Sequence, residues 1–532
     1  MSHETQPAFN LLDEPWILVR TLTGEVHNMS LTQVLLEADQ IAALAETSPP
    51  NLIALYRILL AVLHRALTTH HGRWKDADRA RWYREGLPAA PIRAYLEQWR
   101  ERFWLFHPEN PFMQVAALAD APETQDKHKP WTQLTLESTS GNNPLVFDHS
   151  VDEKPTRISP GSAVRHMLGY FQFAPGGPVK VLNPSGNDTS GPLANSAAIV
   201  PIDNVLSKSL VLSLHPCPTR NFDDDLPTWE KLPPILINLR ALRQPASGYN
   251  DLYTRLIRTV LLLPEGDLAI REICFAEGVG LSDDINLPDP MISQRTNMNG
   301  ELIKIGFRGG RATWRDLPAL LPGPAAHGGF PAPILGWACN AYEALREWDR
   351  SFEVVVAGVA MDKMKCERWR SESFVLPRQV LANPELTGLL RQFAQQAEDV
   401  HWRLRQISAS MIAEALPVSG ERTRSKTGRD KRSIEEKRYD SFSATVVFFS
   451  VVERIFYRLV PQIAHGEVEA ADHEWRTTLV EAGWQSWEAA LQSLGDSPIA
   501  WKARARALPK TAALLKSIRY SAAEPTQDGA IP

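Results

Sequence analysis

Short strand-like runs open the chain: Trp16-Ile17-Leu18-Val19 and Val26-His27-Asn28-Met29 flank the turn signal Thr23-Gly24, which predicts a short β-meander over residues 9–34. Helical spacing then takes over. Leu52, Leu55, Tyr56, Leu59, Leu60 and Leu63 recur at steps of three and four, predicting a helix with one face packed inward, and Pro49-Pro50 suits its first turn. From about 107 to 235, Pro, Gly, Asn, Ser and Asp break the pattern repeatedly, at 138–144, 148–161, 174–178 and 183–192. These read as loops of an ordered domain rather than a disordered linker, the alternative for such a stretch, because strand-like Ile199–Ile202 and Leu210–Leu214 interrupt them. Residues 236–315 read as strands and turns, with Glu301–Phe307 a strand after Asn299-Gly300, and 316–350 return to helix. Val354–Ala360 reads as a buried strand in which Gly358 permits a bend. Beyond Pro377, Leu386–Leu416, Ile434–Ile463, Thr477–Leu494 and Ala500–Tyr520 predict four helices, the count of a four-helix bundle. The reading is therefore α+β: a large mixed domain over 1–375 and a helical domain over 376–532. No fixed period repeats, which argues against a solenoid.

Composition sharpens this in three places. A chain of 532 residues is long enough for several cores, and its 57 Lys+Arg against 62 Asp+Glu confine any nucleic-acid surface to local patches. Forty Pro point to many fixed turns. Cys217, Cys274, Cys339 and Cys366 lie far apart with no C-x-x-C pair, which excludes a zinc ribbon and points to a reducing compartment. The first residues, MSHETQPAFNLL, lack a signal-peptide pattern, and the greasiest stretches fall short of a membrane span, so a cytoplasmic protein that does not touch a membrane is expected.

No nucleophile elbow, P-loop, H-E-x-x-H or dinucleotide fingerprint is present. Asp223-Asp224-Asp225 and Asp283-Asp284 offer carboxylates for a metal-dependent nuclease, but both runs sit in turn-rich sequence and read first as solvated loop acids. His70-His71 reads as a polar helix end. Cation clusters are the stronger signal. Arg422, Arg424, Lys426, Arg429, Lys431, Arg432, Lys437 and Arg438 face only four acids between 421 and 438, and Lys502, Arg504, Arg506, Lys510, Lys516 and Arg519 face none between 500 and 520. Such fields suit phosphates; the competing reading is a solvated helix face. Pro175-Gly176-Gly177-Pro178 has a centre without side chains, so its amides could approach a groove or phosphate, or it is a plain turn.

Taken together, several segments resemble the CasA family, the large subunit of the type I-E CRISPR surveillance complex Cascade. Asn10-Leu11-Leu12-Asp13-Glu14-Pro15-Trp16-Ile17-Leu18-Val19-Arg20 is similar to the family's N-terminal run, and His107-Pro108-Glu109-Asn110-Pro111-Phe112-Met113-Gln114 to its H-x-x-x-P-F-M-Q segment. Pro227-Thr228-Trp229, Trp314-Arg315-Asp316-Leu317, Asp362-Lys363-Met364-Lys365 and Glu367-Arg368-Trp369 follow in family order.

The resemblance implies a mixed α/β N-terminal domain followed by a C-terminal four-helix bundle, no catalysis and no cofactor. It implies a subunit that holds a CRISPR guide RNA among other Cascade subunits and inspects the protospacer-adjacent motif of a double-stranded DNA target. Guide pairing reads the remaining sequence, and a helicase-nuclease is recruited in trans. Minor-groove reading through a glycine loop, a lysine finger and a duplex-opening wedge is expected to be degenerate. By position, the glycine loop falls on Gly176 and Gly177, followed by Lys180; the wedge falls on Met361, Asp362 and Lys363; the guide-handle loop falls on Phe147, Asp148 and His149. The DNA backbone would meet Arg422, Arg424, Lys426, Arg429, Lys431 and Arg432. The chain departs from the pattern in a shorter glycine run, in Asp where some members carry Gln in the wedge, and in the lysine finger, since Gly278–Asp289 contains no Lys and Arg295 is only a nearby candidate. Phe147 would stack on a base or partner unless it anchors the core, and Met361 would face an unstacked base step unless it ends the core strand.

Overall fold

The computed structural model describes residues 6–136, 155–177, 179–182, 189–217, 224–233, 243–282, 287–297, 299–307, 311–317, 329–347, 350–362, 365–415 and 443–520, with backbone only at 361–362, 365–368 and 520. It divides into two compact units: Met1–Thr313 with Ala319–Arg378, and Trp314–Pro318 with Gln379–Pro532. The first is mixed α/β and the second helical.

The first unit opens with β1 (Ala8–Asn10), β2 (Ile17–Thr21), β3 (Val26–Met29), α1 (Leu31–Leu36) and β4 (Ile41–Leu44). The expected meander stops at Ser30 because Ser30 and Gln33 form a capping box that starts a helix: Ser30 Oγ accepts from the Gln33 amide at 3.2 Å and Gln33 Oε1 from the Ser30 amide at 3.0 Å. Helices α2 (Pro49–His71), α3 (Asp76–Glu85) and α4 (Ala89–Gln98) follow, then β5 (Trp104–Phe106) and β6 (Lys129–Pro130). The α2 helix is buried on nearly all sides and not on one face only. It is long and apolar enough to cross a membrane, yet it forms the centre of this unit, with α4 and the next helix, α5 (Pro160–Phe173), packed on it. Its buried cations carry their own partners: Arg57 pairs with Asp289 at 2.6 Å and Arg65 with Glu230 at 2.7 Å, as buried charge requires.

The turn-rich stretch holds more helix than its composition suggests. Ser159 accepts from the Ser162 amide and Pro160 occupies the first turn, which is how α5 begins inside it. After β7 (Ala197–Ile202) the run containing Leu210–Leu214 is not a strand. It forms α6 (Leu206–Ser213), because a short apolar run fully buried has no periodicity to distinguish the two forms. The remaining elements are α7 (Tyr249–Thr254), β8 (Arg258–Pro264), β9 (Ile270–Glu277), β10 (Gln294–Thr296), β11 (Leu302–Lys304), β12 (Gly329–Phe330), α8 (Pro333–Leu345), β13 (Ser351–Asp362) and β14 (Lys365–Pro377). The strand expected over 301–307 shortens to three residues. Among the described residues five small antiparallel sheets result, ordered β1-β5, β3-β2-β4, β6-β9-β8, β11-β10-β12 and β14-β13-β7.

In the helical unit, α9 (Arg378–Ala382) reaches past the division into α10 (Pro384–Ala415), followed by α11 (Ala444–Ala464), α12 (Val468–Gln492) and α13 (Pro498–Tyr520). The last four are the bundle helices. Trp314, distant in sequence, is fully buried among them with its ring 4.8 Å from that of Phe456, and Arg315 grips Glu398 in bidentate fashion at 2.7 and 2.9 Å. The segment Trp314–Pro318 is thus part of this unit.

Candidate nucleic-acid interface

Two features of the first unit leave one sheet at the same end. Strand β7 starts at Ala197, opposite Gly358 of β13, whereas the β13–β14 hairpin continues through Met361↔Cys366 to Asp362↔Lys365. At about 3.3 Å per residue, the hairpin projects roughly 13 Å beyond its last β7 partner. Its register shifts between Ala360 and Met361, a bulge that increases local twist. The Met361 and Asp362 backbones therefore lie at the end of the hairpin; Lys363 lies outside the described residues. Gly358 does not bend the strand, as its place near the strand end suggested. It lies within the pairing, and a β-carbon there would collide with the Ser196 carbonyl oxygen, so glycine is needed for close approach of two backbones.

The chain that enters β7 at Ala197 is the outgoing limb of the glycine loop. The Leu193 amide donates to the Gln172 carbonyl at 2.9 Å and the Gly191 amide to the Ala174 carbonyl at 2.9 Å, so α5 runs directly into a neck whose limbs are hydrogen-bonded to each other. A side chain at 191 would strike the Gln172 carbonyl, which fixes glycine there. Lys304 Nζ holds the Pro192 carbonyl at 3.0 Å. Gly176 and Gly177 sit half-buried just above the neck, Gly177 with φ 138°, and Lys180 is exposed. Arg295 lies half-buried on β10, paired with Ile303 and Gly329. The chain leaving the glycine loop thus enters the β14-β13-β7 sheet at the end from which the β13–β14 hairpin projects, although the two segments stand far apart in the sequence. That end also carries Trp369, which is 41% exposed opposite Val359.

Phe147, Asp148 and His149 lie outside the described residues, as do Arg422, Arg424, Lys426, Arg429, Lys431 and Arg432. The second cation cluster is described. Lys502, Arg506 and Lys510 follow at four-residue steps on α13, Lys516 falls on the same face, and all four are exposed. With a 1.5 Å rise the stripe is about 21 Å long. Arg506 is partly engaged by Glu414 at 2.6 Å. Arg504 belongs to a different role from the one its charge suggested. It donates to the Leu491 and Gly495 carbonyls at 3.0 and 2.6 Å, capping the end of α12, and stands over the exposed Trp501 ring at 4.9 Å.

The acids considered for metal chemistry divide in the same way. Asp224 is exposed, but Asp225 is no solvated loop acid. It is buried and accepts from the Asn250 and Asp251 amides at 3.1 and 3.0 Å, the first turn of α7. Burial raises its carboxyl above the ordinary range, with those amides working against the rise. Asp223, Asp283 and Asp284 lie outside the described residues, and among the described residues no cluster of three metal-ligating side chains forms.

One buried group escaped sequence reasoning altogether. His64 of α2 and His215 stack at 3.7 Å between ring centroids, both fully enclosed, with Asn250 3.0 Å from His64 Nδ1. Burial first, then the Arg65 charge, pushes His64 down to about 3. Burial, His64 and Arg79 depress His215 likewise. Nothing in a lone His at position 64 and another at 215 signals this pairing.

The comparisons with known proteins agree with one another. The family model for CRISPR-associated protein Cse1 matches residues 10–486. The CRISPR-associated protein CasA/Cse1 of Thermus thermophilus is 34% identical over 505 residues, covering 94% of this chain and 95% of that protein. The crystal structure of Thermus thermophilus CasA superposes with a TM-score of 0.81 at 30% identity, covering 96% of this chain and 99% of that one. A chain of a CRISPR RNA-guided surveillance complex shares the fold with a TM-score of 0.75 at 21% identity, covering 95% and 100%. A family model spanning most of the sequence and a relative matched nearly end to end make this chain a member of the CRISPR-associated Cse1 family.

Proposed function

We propose that this chain is the non-catalytic large subunit of a type I-E Cascade-like complex. In that role it tests the protospacer-adjacent motif of double-stranded DNA, starts strand separation for guide-RNA pairing, and presents the site to a helicase-nuclease recruited in trans. Family membership supports the assembly, and the fold shared with a chain of an RNA-guided surveillance complex is consistent with it. The observation that carries the DNA reading is that the chain leaving the Gly176-Gly177 loop enters the sheet at the end where the hairpin carrying Met361 and Asp362 projects. A turn without side chains can approach a groove floor closely, and a projecting hairpin end beside it can intrude between base pairs. Lys180 adds an exposed cation beside that loop, and Lys363 continues the hairpin sequence. Phe147, Asp148 and His149 are assigned to the guide handle. Arg422, Arg424, Lys426, Arg429, Lys431 and Arg432, together with the α13 stripe, are assigned to the DNA backbone, where affinity is sequence-independent and salt-sensitive. No membrane and no cofactor enter this reading.

The experiment uses the complex reconstituted with guide RNA and the double variant Met361→Ala, Lys363→Ala, offered intact target duplex and duplex mismatched beside the motif. A wedge that opens DNA predicts failure on the intact duplex and recovery on the pre-opened one. Equal loss on both overturns the assignment. Incubation of the purified chain with Mg²⁺ or Mn²⁺ and plasmid separates the nuclease alternative: cutting by this chain alone would replace the proposed role.

A further inference from the structure

Beyond the two backbone rungs that close the neck, a side chain links Gly177 on one limb of the glycine loop to Thr189 on the other. Arg258, the first residue of β8 and 1% exposed, donates from Nη2 to the Gly177 carbonyl at 3.2 Å and to the Thr189 carbonyl at 2.8 Å. Its Nη1 reaches the Thr189 hydroxyl, the Ile257 carbonyl at 3.2 Å and Glu277 Oε1 at 2.6 Å. Glu277 in turn accepts from the Thr189 hydroxyl, and its amide donates to the Val181 carbonyl at 3.0 Å.

We infer that Arg258, with Glu277 as its counter-ion, is a positioning residue for the glycine loop: it ties Gly177 on one limb and Thr189 on the other to the paired ends of β8 and β9 in the β6-β9-β8 sheet. This inference rests on the reading of that loop as DNA-facing. The chemistry selects arginine. A guanidinium is a planar fork that can serve two carbonyls and a carboxylate at once, whereas an ammonium is a point charge on a flexible stem. The ion pair also acts on the buried Tyr170 of α5, the helix that leads into the loop. A buried ion pair adds little stability over well-packed apolar side chains, so a pair whose remaining donors end mainly on the two limbs of one loop is best explained by the loop. The dependence on glycine nearby points the same way. Position 278, next to Glu277, admits no β-carbon because the Leu256 carbonyl stands against it, so the ends of β8 and β9 that carry the ion pair are held close together.

The test uses the reconstituted complex with Arg258→Lys, which keeps the charge and loses the fork, and Thr189→Val, which keeps side-chain size and removes the hydroxyl. Gly177→Ala serves as a direct perturbation of the loop. Two quantities are read: amide exchange of peptides covering 175–190, and capture of a panel of duplexes varied at the positions beside the target. Arg258→Lys and Thr189→Val are expected to speed exchange in 175–190 by about tenfold, the factor attached to removal of a charge-assisted hydrogen bond. Exchange in α2 should stay unchanged, discrimination among the duplexes should fall by a similar factor, and capture of motif-free DNA should not move. Should Arg258→Lys fail to assemble, Thr189→Val carries the test. Loop exchange as slow as in the unaltered protein, or acceleration spread evenly over β8, β9 and α2, overturns the inference, since the ion pair would then serve the core alone. Faster loop exchange with discrimination intact in both Arg258→Lys and Gly177→Ala keeps the positioning role and removes the DNA reading of the loop. Lost discrimination in Gly177→Ala alone does the reverse.

Discussion

Acidification should unfold the first unit from its centre, through the stacked imidazoles of His64 and His215. Both rings are fully enclosed, and His64 is held neutral by burial and by the neighbouring Arg65 charge, with its acidity moved from the ordinary value near 6.5 to about 3. In the unfolded chain the same imidazole takes a proton below pH 6.5. The unfolded state therefore binds more protons between about pH 6.5 and 3, and stability is complete above that window and falls as the pH drops through it. At pH 4.5, about two pH units below the ordinary value, the loss from His64 alone is about 3 kcal/mol at about 1.4 kcal/mol per pH unit. His215, depressed in the same direction, adds to it, while Asp225, raised by burial, works in the opposite sense at the acid end. The assay is amide exchange of α2 peptides, which reports on opening of this unit alone, at pH 7.5 and 4.5 and corrected for intrinsic exchange rates. The unaltered protein should lose protection steeply between the two, and His64→Gln should lose about 3 kcal/mol less over the same interval while starting lower at pH 7.5. An identical pH dependence in the variant, or an imidazole at 64 that titrates near 6.5 in the folded protein, would refute the argument.

Gly358→Ala places a β-carbon against the Ser196 carbonyl and should lower the stability of the first unit by about 1–3 kcal/mol, read as a drop in urea midpoint followed by exchange of α2 peptides. Trp314→Ala empties a fully buried ring site among the bundle helices and should cost about 3–5 kcal/mol, seen in α10–α13 exchange with α2 unaffected. Replacing Lys502, Arg506, Lys510 and Lys516 together by Ala should make the dependence of log K on log salt for duplex binding shallower, by about 0.9 for each phosphate those cations neutralise, at unchanged bundle stability. Arg504→Ala should do the opposite, destabilising the bundle by about 1–2 kcal/mol through removal of the α12 cap and leaving the salt slope where it was.

The helical unit was the most legible part of the chain because its signal is local and long. Three- and four-residue spacing placed four helices: α10 and α13 agree with expectation to within two residues at each end, α12 begins nine residues before the expected Thr477, and the part of the second helix expected over 434–442 lies outside the described residues. The first unit was harder for a stated reason. Its strands are two to eight residues long apart from β13 and β14, its helices α6 and α7 are too short to show a period, and its central helix is buried all round, so the polar face that marks an amphipathic helix is replaced by ion pairs with Asp289 and Glu230. Charge reasoning failed in the same way at Asp225 and Arg504. Both sit in runs that look solvated, and both are spent on helix ends.

Four of the six segments that carried the family resemblance hold the fold together, and this explains why the family was easier to read than the site. In the N-terminal run, Asn10 Oδ1 accepts from the Leu12 amide at 3.0 Å and the Trp16 indole donates to the Leu11 carbonyl at 3.0 Å. In the second segment, His107 Nδ1 accepts from the amides of Glu109 and Asn110, Phe112 stacks on Phe103 at 5.1 Å, and Gln114 joins the Leu105 carbonyl to the Leu262 amide at 2.7 and 2.8 Å. Trp229 donates to Tyr95 at 2.7 Å, and Trp314 fills the bundle. Each is a buried or turn-forming residue with several fixed partners, so few other side chains would serve, and a short string can identify the fold. The proposed interface has the reverse character. Gly177 sits at φ 138° with its carbonyl held by Arg258, far along the chain, and Gly358, later still, leaves room for the Ser196 carbonyl where the outgoing limb enters the sheet. A sequence window wide enough to find a helix sees none of these pairs. What specifies the interface is the set of long-range supports beneath it, and those become visible only when the chain is folded.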